Sequence, residues 1–502
     1  MKISKKIIYI DDVCSKDFVD IALCYGHFNH THPGHLRYLQ QANGLAKNLV
    51  VAIKSDTSLD QDSFGQHFSE LERAESIANL EIVNQVVILN SNGLFGLIEI
   101  LKPNILILGK EFEKQRSEEI LLAIKTANKS GKVIFHAGET SYATTYLLHD
   151  NVTNIENNNI SKFKSICKNN KIMSSTLLNL IDGFANTNLL VIGDTIVDNY
   201  VVCDAVGMSA EAPVIVVKEL ENREYIGGAS VVASHVKALG ANCNYISVVG
   251  NDSSANMVEE VLLNRGIQTS LIRDSSRPTT YKTRYMVENQ KLFRVSKIKE
   301  HVISKTIEDK LISSIRDQAS KVDGILVSDF VYGVITENII EEILKVSKQF
   351  NLKLFGDLQC SSQVGKVTKF NKFDLITPTE KEARIALNDN ENGIEWIANK
   401  IVKETKSKNM LIKLGASGFI AYSGNNLGSK QHFPTLTPNP VDVTGAGDSL
   451  FAAMSVALSS GSSLIEASAI GTCMASLAVQ EVGNVPITAE KLGKFTHRVL
   501  AK

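Results

Sequence analysis

Short apolar runs alternate with amphipathic helical stretches along nearly the whole chain, and this alternation limits the possible folds more than any other feature. From Asp17 to about Asp150 the runs IALCYG, LVVAIKSD, QVVILN, ILILG and KVIFHAG are separated by helical patterns such as SELERAESIANLEIV. A second series opens with NLLVIGD and continues to the C-terminus. Alternation of this kind predicts parallel sheets covered by helices, an α/β fold. Between the two series, residues 151–186 are rich in Asn, Ser and Lys. That composition predicts a linker carrying at most one short helix. The expected organisation is a domain over 1–150, a linker over 151–186 and a larger domain over 187–502. A chain of 502 residues is too long for a single core, which agrees with this division.

Composition narrows the functional classes. The formal net charge is -1, with 44% hydrophobic and 21% charged residues. Such a balance points away from nucleic acid and from an anionic membrane surface. No apolar run approaches the ~18 residues of a membrane span. The opening MKISKKIIYIDD is basic but lacks the long apolar core and cleavage site of a signal peptide. The seven cysteines are scattered singly, as expected for reduced thiols in a cytoplasmic protein.

The first chemically informative segment is Tyr25-Gly26-His27-Phe28-Asn29-His30-Thr31-His32-Pro33-Gly34-His35, which joins an apolar strand to the helical pattern LRYLQQANGLA. Pro33 suits a first helical turn, and Gly34 lets a ligand approach the backbone. His32 and His35 are three apart and share a face at the positive end of the helix dipole. Imidazole donors there can stabilise charge developing on phosphate oxygens during in-line displacement. A metal site or a pair of surface histidines uses the same spacing.

This segment resembles the nucleotidyltransferases marked by HxGH, over roughly Asp17 to Leu148. His32-Pro33-Gly34-His35 stands at the signature, Gly26-His27-Phe28-Asn29 at the family's G-x-F-D, and Lys54-Ser55-Asp56 at its N-S-D. The resemblance implies a Rossmann-like domain with His32 and His35 acting at the α-phosphate of a nucleoside triphosphate, ATP or CTP. It implies a phosphate-contacting role for Arg73, and a helix start after Thr144-Thr145 that holds the phosphates. Gly26, His27, Phe28, Asn29, Gly34 and Asp56 complete the nucleotide site. Departures are Asn29 in place of an acidic residue and a 59–65 stretch without lysines.

The most specific string lies near the other end, at Asn439-Pro440-Val441-Asp442-Val443-Thr444-Gly445-Ala446-Gly447-Asp448-Ser449. A Thr-Gly-Ala-Gly turn ahead of a small-residue helix lets successive amides converge on an anion. Asp448 would then lie in the same pocket, placed to take a proton from a hydroxyl attacking the γ-phosphate. Upstream, Gly227 and Gly228 at a helix entry leave room for a sugar ring. Asp194 and Asp198, read as closing the first strand, can accept bonds from sugar hydroxyls. Helix capping is the alternative role for Asp198.

Both strings resemble the two signatures of the ribokinase/phosphofructokinase-B sugar kinases, over about 187–497. The resemblance implies a ribokinase-like α/β domain with a small β lid. Thr444, Gly445, Ala446, Gly447, Lys413, Gly415 and Gly418 would hold ATP, and Mg²⁺ would be reached by Glu382 through water. Within the family, Met208–Val214, Lys282-Thr283-Arg284, Asn289–Arg294 and Val327–Phe330 resemble the kinase half of bifunctional heptose 7-phosphate kinase/heptose 1-phosphate adenylyltransferases, with the order of the halves reversed. Lys282, Arg284 and Arg294 would grip the distal phosphate of a sugar phosphate; solvated charge is the alternative for Arg294. Two departures are Thr379 for the asparagine of N-x-x-E, and Gly356-Asp357-Leu358-Gln359-Cys360 for the D-P-K turn.

Together these readings predict a bifunctional sugar kinase and nucleotidyltransferase that makes a nucleotide-activated, heptose-like sugar. Its expected partners are ATP, a sugar phosphate, a second nucleoside triphosphate and Mg²⁺, with a homodimer possible by resemblance. Two alternatives stay open: an active kinase with a regulatory nucleotide-binding N-terminal half, and the same two activities on another sugar phosphate.

Overall fold

The computed structural model describes residues 4–13, 19–29, 33–56, 68–90, 93–109, 118–135, 152–211, 214–287, 290–360, 363–390, 392–424, 430–437, 440–481 and 483–501. They form two compact units, one of residues 1–151 with 389–396 and one of the remainder.

The first unit is a six-stranded sheet of β1 (Ile7–Tyr9), β2 (Ile21–Gly26), β3 (Asn48–Ile53), β4 (Gln85–Ile88), β5 (Ile105–Leu108) and β6 (Lys132–Phe135), ordered β1-β4-β3-β2-β5-β6. Every pairing is parallel. Side chains alternate across the strands, so Leu23, Tyr25, Val50 and Ala52 enter one core while Ala22, Cys24, Leu49, Val51 and Ile53 enter the other. Helices α1 (Pro33–Asn43) and α2 (Glu70–Ala78) contribute Leu39, Ala74 and Ile77 to the second core. Helices α3 (Gly93–Leu101) and α4 (Glu118–Ser130) contribute Leu94, Leu97, Ile120 and Ala123 to the first. Strand order reverses between β2 and β5, and ligands of open parallel sheets bind beyond the strand ends at such a point. Residues 26–29 leave β2 there.

Residues 152–186 correct the linker expectation. They form α5 (Val152–Asn169), α6 (Ser174–Asp182) and a 3₁₀ turn (Gly183–Asn186). Phe163, Cys167, Leu177, Ile181 and Phe184 are buried in the core of the second unit. The polar residues that suggested a linker sit between these apolar positions, which recur at helical spacing.

The second unit centres on β7 (Asn188–Met208), a strand of 21 residues. The sequence reading ended it at Asp194–Asp198. It instead continues, because β-branched Ile196, Val197, Val201 and Val202 favour the extended backbone. The remaining strands are β8 (Ile215–Gly228), β9 (Asn242–Val249), β10 (Gln268–Arg273), β11 (Thr280–Val287), β12 (Gln290–Lys297), β13 (Gly324–Asp329), β14 (Lys353–Leu358), β15 (Leu375–Ile376), β16 (Asn409–Lys413), β17 (Phe419–Ser423) and β18 (Lys430–Phe433). The main sheet runs β10-β9-β7-β13-β14-β15-β16-β17-β18, antiparallel only at its last two pairings. From Thr195 onward β7 leaves it to pair with β8 and β11, and β12 joins β11. These four strands make the expected lid.

Helices used below are α7 (Ala229–Ala238), α8 (Ser253–Asn264), α9 (Lys305–Ala319), α10 (Glu337–Phe350), α11 (Glu380–Leu387), α12 (Ile394–Thr405), α13 (Ala446–Ser459), α14 (Leu464–Ala478) and α15 (Ala489–Ala501). Eleven consecutive residues of α13, Asp448 through Leu458, are buried. The small residues of this helix and of α14 permit the close approach that a helix within a core requires.

Candidate active sites

At the C-terminal end of the second unit's sheet, Asp194, Asp329 and Asp357 lie at the ends of β7's sheet half, β13 and β14, three neighbouring parallel strands. Three carboxylates side by side repel one another unless cations or donors intervene. Lys369, from a 3₁₀ turn after β14, forms an ion pair with Asp329. Asp194 accepts a bond from the Phe330 amide at 2.8 Å. Burial raises the Asp194 pKa, and burial pulls the Lys369 ammonium down to about 8. Lys413 donates to Asp357 Oδ1 at 2.6 Å. Burial opposes its charge, but Asp357 and Glu382 more than compensate and raise its pKa.

The Gly-rich turn packs against this row. Asp442 Oδ1 accepts from the Thr444 amide at 3.1 Å and its hydroxyl at 2.8 Å, which fixes the turn. Burial works against the Asp442 carboxylate, yet Thr444 and Lys291 hold its pKa below the usual value. Gly445 has φ +77°, a left-handed conformation that favours glycine, and α13 starts at Ala446. A β-carbon on Gly447 would lie 3.4 Å from Lys413 Nζ, so the ammonium borders the turn. Asp448, in the first helical turn, is only 8% exposed. Burial, then the neighbouring Asp357 carboxylate, push its pKa up to about 7, against the pull of Lys413 and Gln359. A buried carboxylate titrating near neutrality beside an anion-binding turn is suited to general-base work.

The lid carries the predicted sugar residues. Asp198 stands opposite Tyr225 of β8 and Lys282 of β11, so it is a strand residue and caps no helix. Its Oδ1 pairs with Arg284, and Asn484 Nδ2 lies 3.5 Å from its Oδ2. A β-carbon on Gly227 would fall 2.5 Å from Asp198 Oδ2, so a side chain there would displace that carboxylate; Gly228 follows and ends β8. Lys282 is buried with its ammonium 5.4 Å and 5.2 Å from the ring centres of Phe330 and Tyr332. Arg294 lies across from Arg284 on the exposed β12. Gly415 opens a short 3₁₀ turn and Gly418 closes it, directly after β16.

Sequence reasoning missed several residues. Lys369 and Asn484 stand in no recognisable motif, and Asp329 was read only as part of the Val327–Phe330 string. Lys291 was read only as part of a string, yet its ammonium is 3.1 Å from Thr444 Oγ1. Gln359, noted only as a departure from D-P-K, donates to Asp448.

Glu382 was assigned to a hydrated cation. Its Oε2 accepts from the Thr379 amide at 2.8 Å and its Oε1 from the Cys360 amide at 3.1 Å. The Thr379 hydroxyl in turn accepts from the Glu382 amide, so Thr379 caps α11 where the sequence seemed to lack an asparagine. Among the described residues no cluster of three or more His, Cys, Asp or Glu side chains forms a ready ion site. Two backbone amides orient the Glu382 carboxylate, whose oxygens keep lone pairs for a further partner.

In the first unit, Gly26 ends β2 and its carbonyl accepts from the Lys54 amide at 3.3 Å. Phe28 has φ +50° and is buried, its ring 5.0 Å from that of His35 and 6.5 Å from that of Tyr38. Pro33 and Gly34 begin α1, which places His35 in the first turn. Asn29 Oδ1 accepts from the Phe68 amide at 2.9 Å. Arg73 is the residue that the resemblance placed at a phosphate. Its side chain is fully buried and donates to the carbonyls of Phe68 (3.1 Å), His27 (2.7 Å) and Lys54 (2.8 Å) and to Asp56 Oδ1 (2.6 Å). A guanidinium so occupied clamps the loops after β2 and β3. Asp56 also accepts from the Glu70 amide at 3.0 Å, at the start of α2. His32, Thr144 and Thr145 lie outside the described residues.

A glycine turn at a helix start, a buried carboxylate behind it and a strand-built lid over carboxylate strand ends define a ribokinase-type phosphotransferase fold. The chain belongs to the pfkB family of carbohydrate kinases, whose profile it matches over residues 186–490. A cytidylyltransferase-like profile matches residues 23–176. Among curated proteins, the bifunctional protein HldE of Nitratiruptor sp. is 29% identical over 314 residues, 62% of this chain and 65% of that protein. HldE of Campylobacter fetus is 33% identical over 302 residues, 59% of this chain and 64% of that one. The chain thus matches slightly under two thirds of these relatives' length. The ribokinase of Thermotoga maritima superposes with a TM-score of 0.50 at 25% identity, over 62% of this chain and 99% of that one.

Proposed function

We propose that the chain is a bifunctional enzyme whose second unit transfers a phosphate from ATP to the anomeric hydroxyl of a sugar phosphate, giving a bisphosphate, and whose first unit joins the sugar 1-phosphate, left once a separate phosphatase has hydrolysed the distal phosphate, to a nucleotide. The observation that carries the kinase reading is Asp448, buried behind the Gly445 turn with Lys413 alongside. Asp448 takes the proton of the attacking hydroxyl as its oxygen bonds to the γ-phosphorus and the bridging bond to ADP breaks. The amides of Gly445, Ala446 and Gly447, with Lys413, offset the negative charge that moves onto the leaving phosphate. Mg²⁺ bound to the nucleotide phosphates would supply further neutralisation, with Glu382 reaching it through water. Asp198, Arg284 and Lys282 would hold the sugar and its distal phosphate.

In the first unit the sugar 1-phosphate oxygen attacks the α-phosphorus of a nucleoside triphosphate and pyrophosphate leaves. His35 at the start of α1 offers a donor for the charge that develops. Likeness to HldE proteins supports a heptose phosphate as substrate, with the two activities in the opposite order along the chain. Incubation with heptose 7-phosphate, heptose 1-phosphate, ATP and CTP, read by mass spectrometry, should show both a phosphorylated sugar and a nucleotide sugar. Absence of both would reject the proposal.

The burial of Arg73 favours one second reading, because the guanidinium expected at the phosphates is engaged with three carbonyls and Asp56. The first unit would then bind nucleotide and regulate the kinase. In that case CTP or ATP binds without releasing pyrophosphate, and kinase turnover changes on binding.

A further inference from the structure

Asp448 and Asp357 face each other at the end of β14, and their only bridge among the described residues is one side-chain amide. Gln359 Nε2 lies 2.6 Å from Asp448 Oδ1 and 3.2 Å from Asp357 Oδ2. A carboxamide nitrogen carries two hydrogens, one for each carboxylate, and only this end of the side chain can face two acceptors without repulsion. The backbone is fixed as well, since the Gln359 amide donates to the Asp329 carbonyl at 2.8 Å. Asp357 has its other oxygen on Lys413, so a chain of donors and acceptors runs Lys413–Asp357–Gln359–Asp448. Asp448 Oδ2 is left without a hydrogen-bond partner among the described residues.

We propose that Gln359 is a positioning residue of the kinase: its amide bridges the two carboxylates, turns the free oxygen of Asp448 toward the acceptor hydroxyl and sets the pH range in which that base works. The inference rests on Asp448 being the base. Charged groups facing Asp448 are Asp357 from β14, Lys413 from β16 and Asp198 from β7. Two of the three are anionic, so a neutral donor between the carboxylates favours the ionised form of Asp448 by hydrogen bonding alone. A cation at the same position would favour it more strongly.

Opposite shifts distinguish this role from a packing role. With heptose 7-phosphate as acceptor, the acid limb of kcat should lie near pH 7 in the unaltered enzyme. Gln359→Ala should move it upward by roughly one unit, with kcat falling far more than KM for ATP changes. Gln359→Lys should move it downward. Carbon-13 labelling of aspartate carboxyls, with Asp448→Asn assigning the signal, reads the same titration in full-length protein with no sugar present. Unmoved limbs and an unmoved carboxyl titration in both variants would overturn the role of Gln359 while leaving the kinase reading intact. Full phosphorylation by Asp448→Asn would overturn both.

Discussion

A β-carbon on Gly445 would sit 2.4 Å from Asn484 Oδ1, so the anion-binding turn and the residue that reaches Asp198 are in contact through the space a side chain would fill. Asn484 also approaches the Ile226 carbonyl of the lid at 3.3 Å. One asparagine therefore touches the glycine turn before α13 and the lid. Gly445→Ala should both strain the turn, at φ +77°, and displace Asn484. We expect a loss of stability of about 1–3 kcal/mol and at least a tenfold rise in KM for ATP. Thermal denaturation and steady-state kinetics check this.

Asp448→Asn should abolish phosphorylation by about three orders of magnitude or more and, unusually for a buried change, stabilise the fold. The Asp448 pKa is raised from 3.8 to about 7, so the folded state keeps a proton that the unfolded chain has released. Stability then falls as pH rises between those values. The ceiling on that loss is on the order of 4 kcal/mol. Denaturation across pH 4–8 should show the variant gaining on the parent as pH rises and little difference near pH 4.

Gly227→Ala tests the sugar side alone. Its methyl group would press on Asp198 Oδ2 at 2.5 Å and disturb the pair with Arg284. We expect KM for the sugar phosphate to rise at least tenfold with KM for ATP little changed.

Arg73→Ala should unfold the first unit while the kinase reaction persists. Removing the guanidinium strands three carbonyls and Asp56, at a cost of about 3 kcal/mol or more. Arg73→Lys cannot replace a fork that serves four acceptors. Two-step melting with loss of pyrophosphate release, and unchanged ADP formation, is the expected result.

His35→Ala addresses chemistry in that unit without its scaffold. Pyrophosphate release should fall about 100-fold or more with the melting profile intact. An unchanged rate would favour the regulatory reading.

The sequence made the architecture legible because alternation and glycine spacing are local signals. Parallel sheets, the turn at Gly445 and the entry of α1 at Pro33 all follow from short stretches. What escaped was set by partners far along the chain. Lys369 matters because β14 brings it to Asp329, and Asn484 because it lies beside a glycine 39 positions earlier. Arg73 was placed at a phosphate by resemblance alone, and its burial follows from the two loops that it clamps, which no local pattern shows. The 152–186 segment misled for a related reason: its asparagines and lysines outnumber the few apolar residues that dock it.

Because β7 belongs first to the central sheet and then to the lid, the two are one continuous ribbon on that side. Asp194 sits on the sheet half and Asp198 on the lid half, four residues along the same ribbon. Bending that ribbon changes the spacing of the two carboxylates directly, so grasping the acceptor and shutting out water would be a single mechanical event. An acceptor too short to span both carboxylates would leave the ribbon relaxed and the phosphate exposed to hydrolysis.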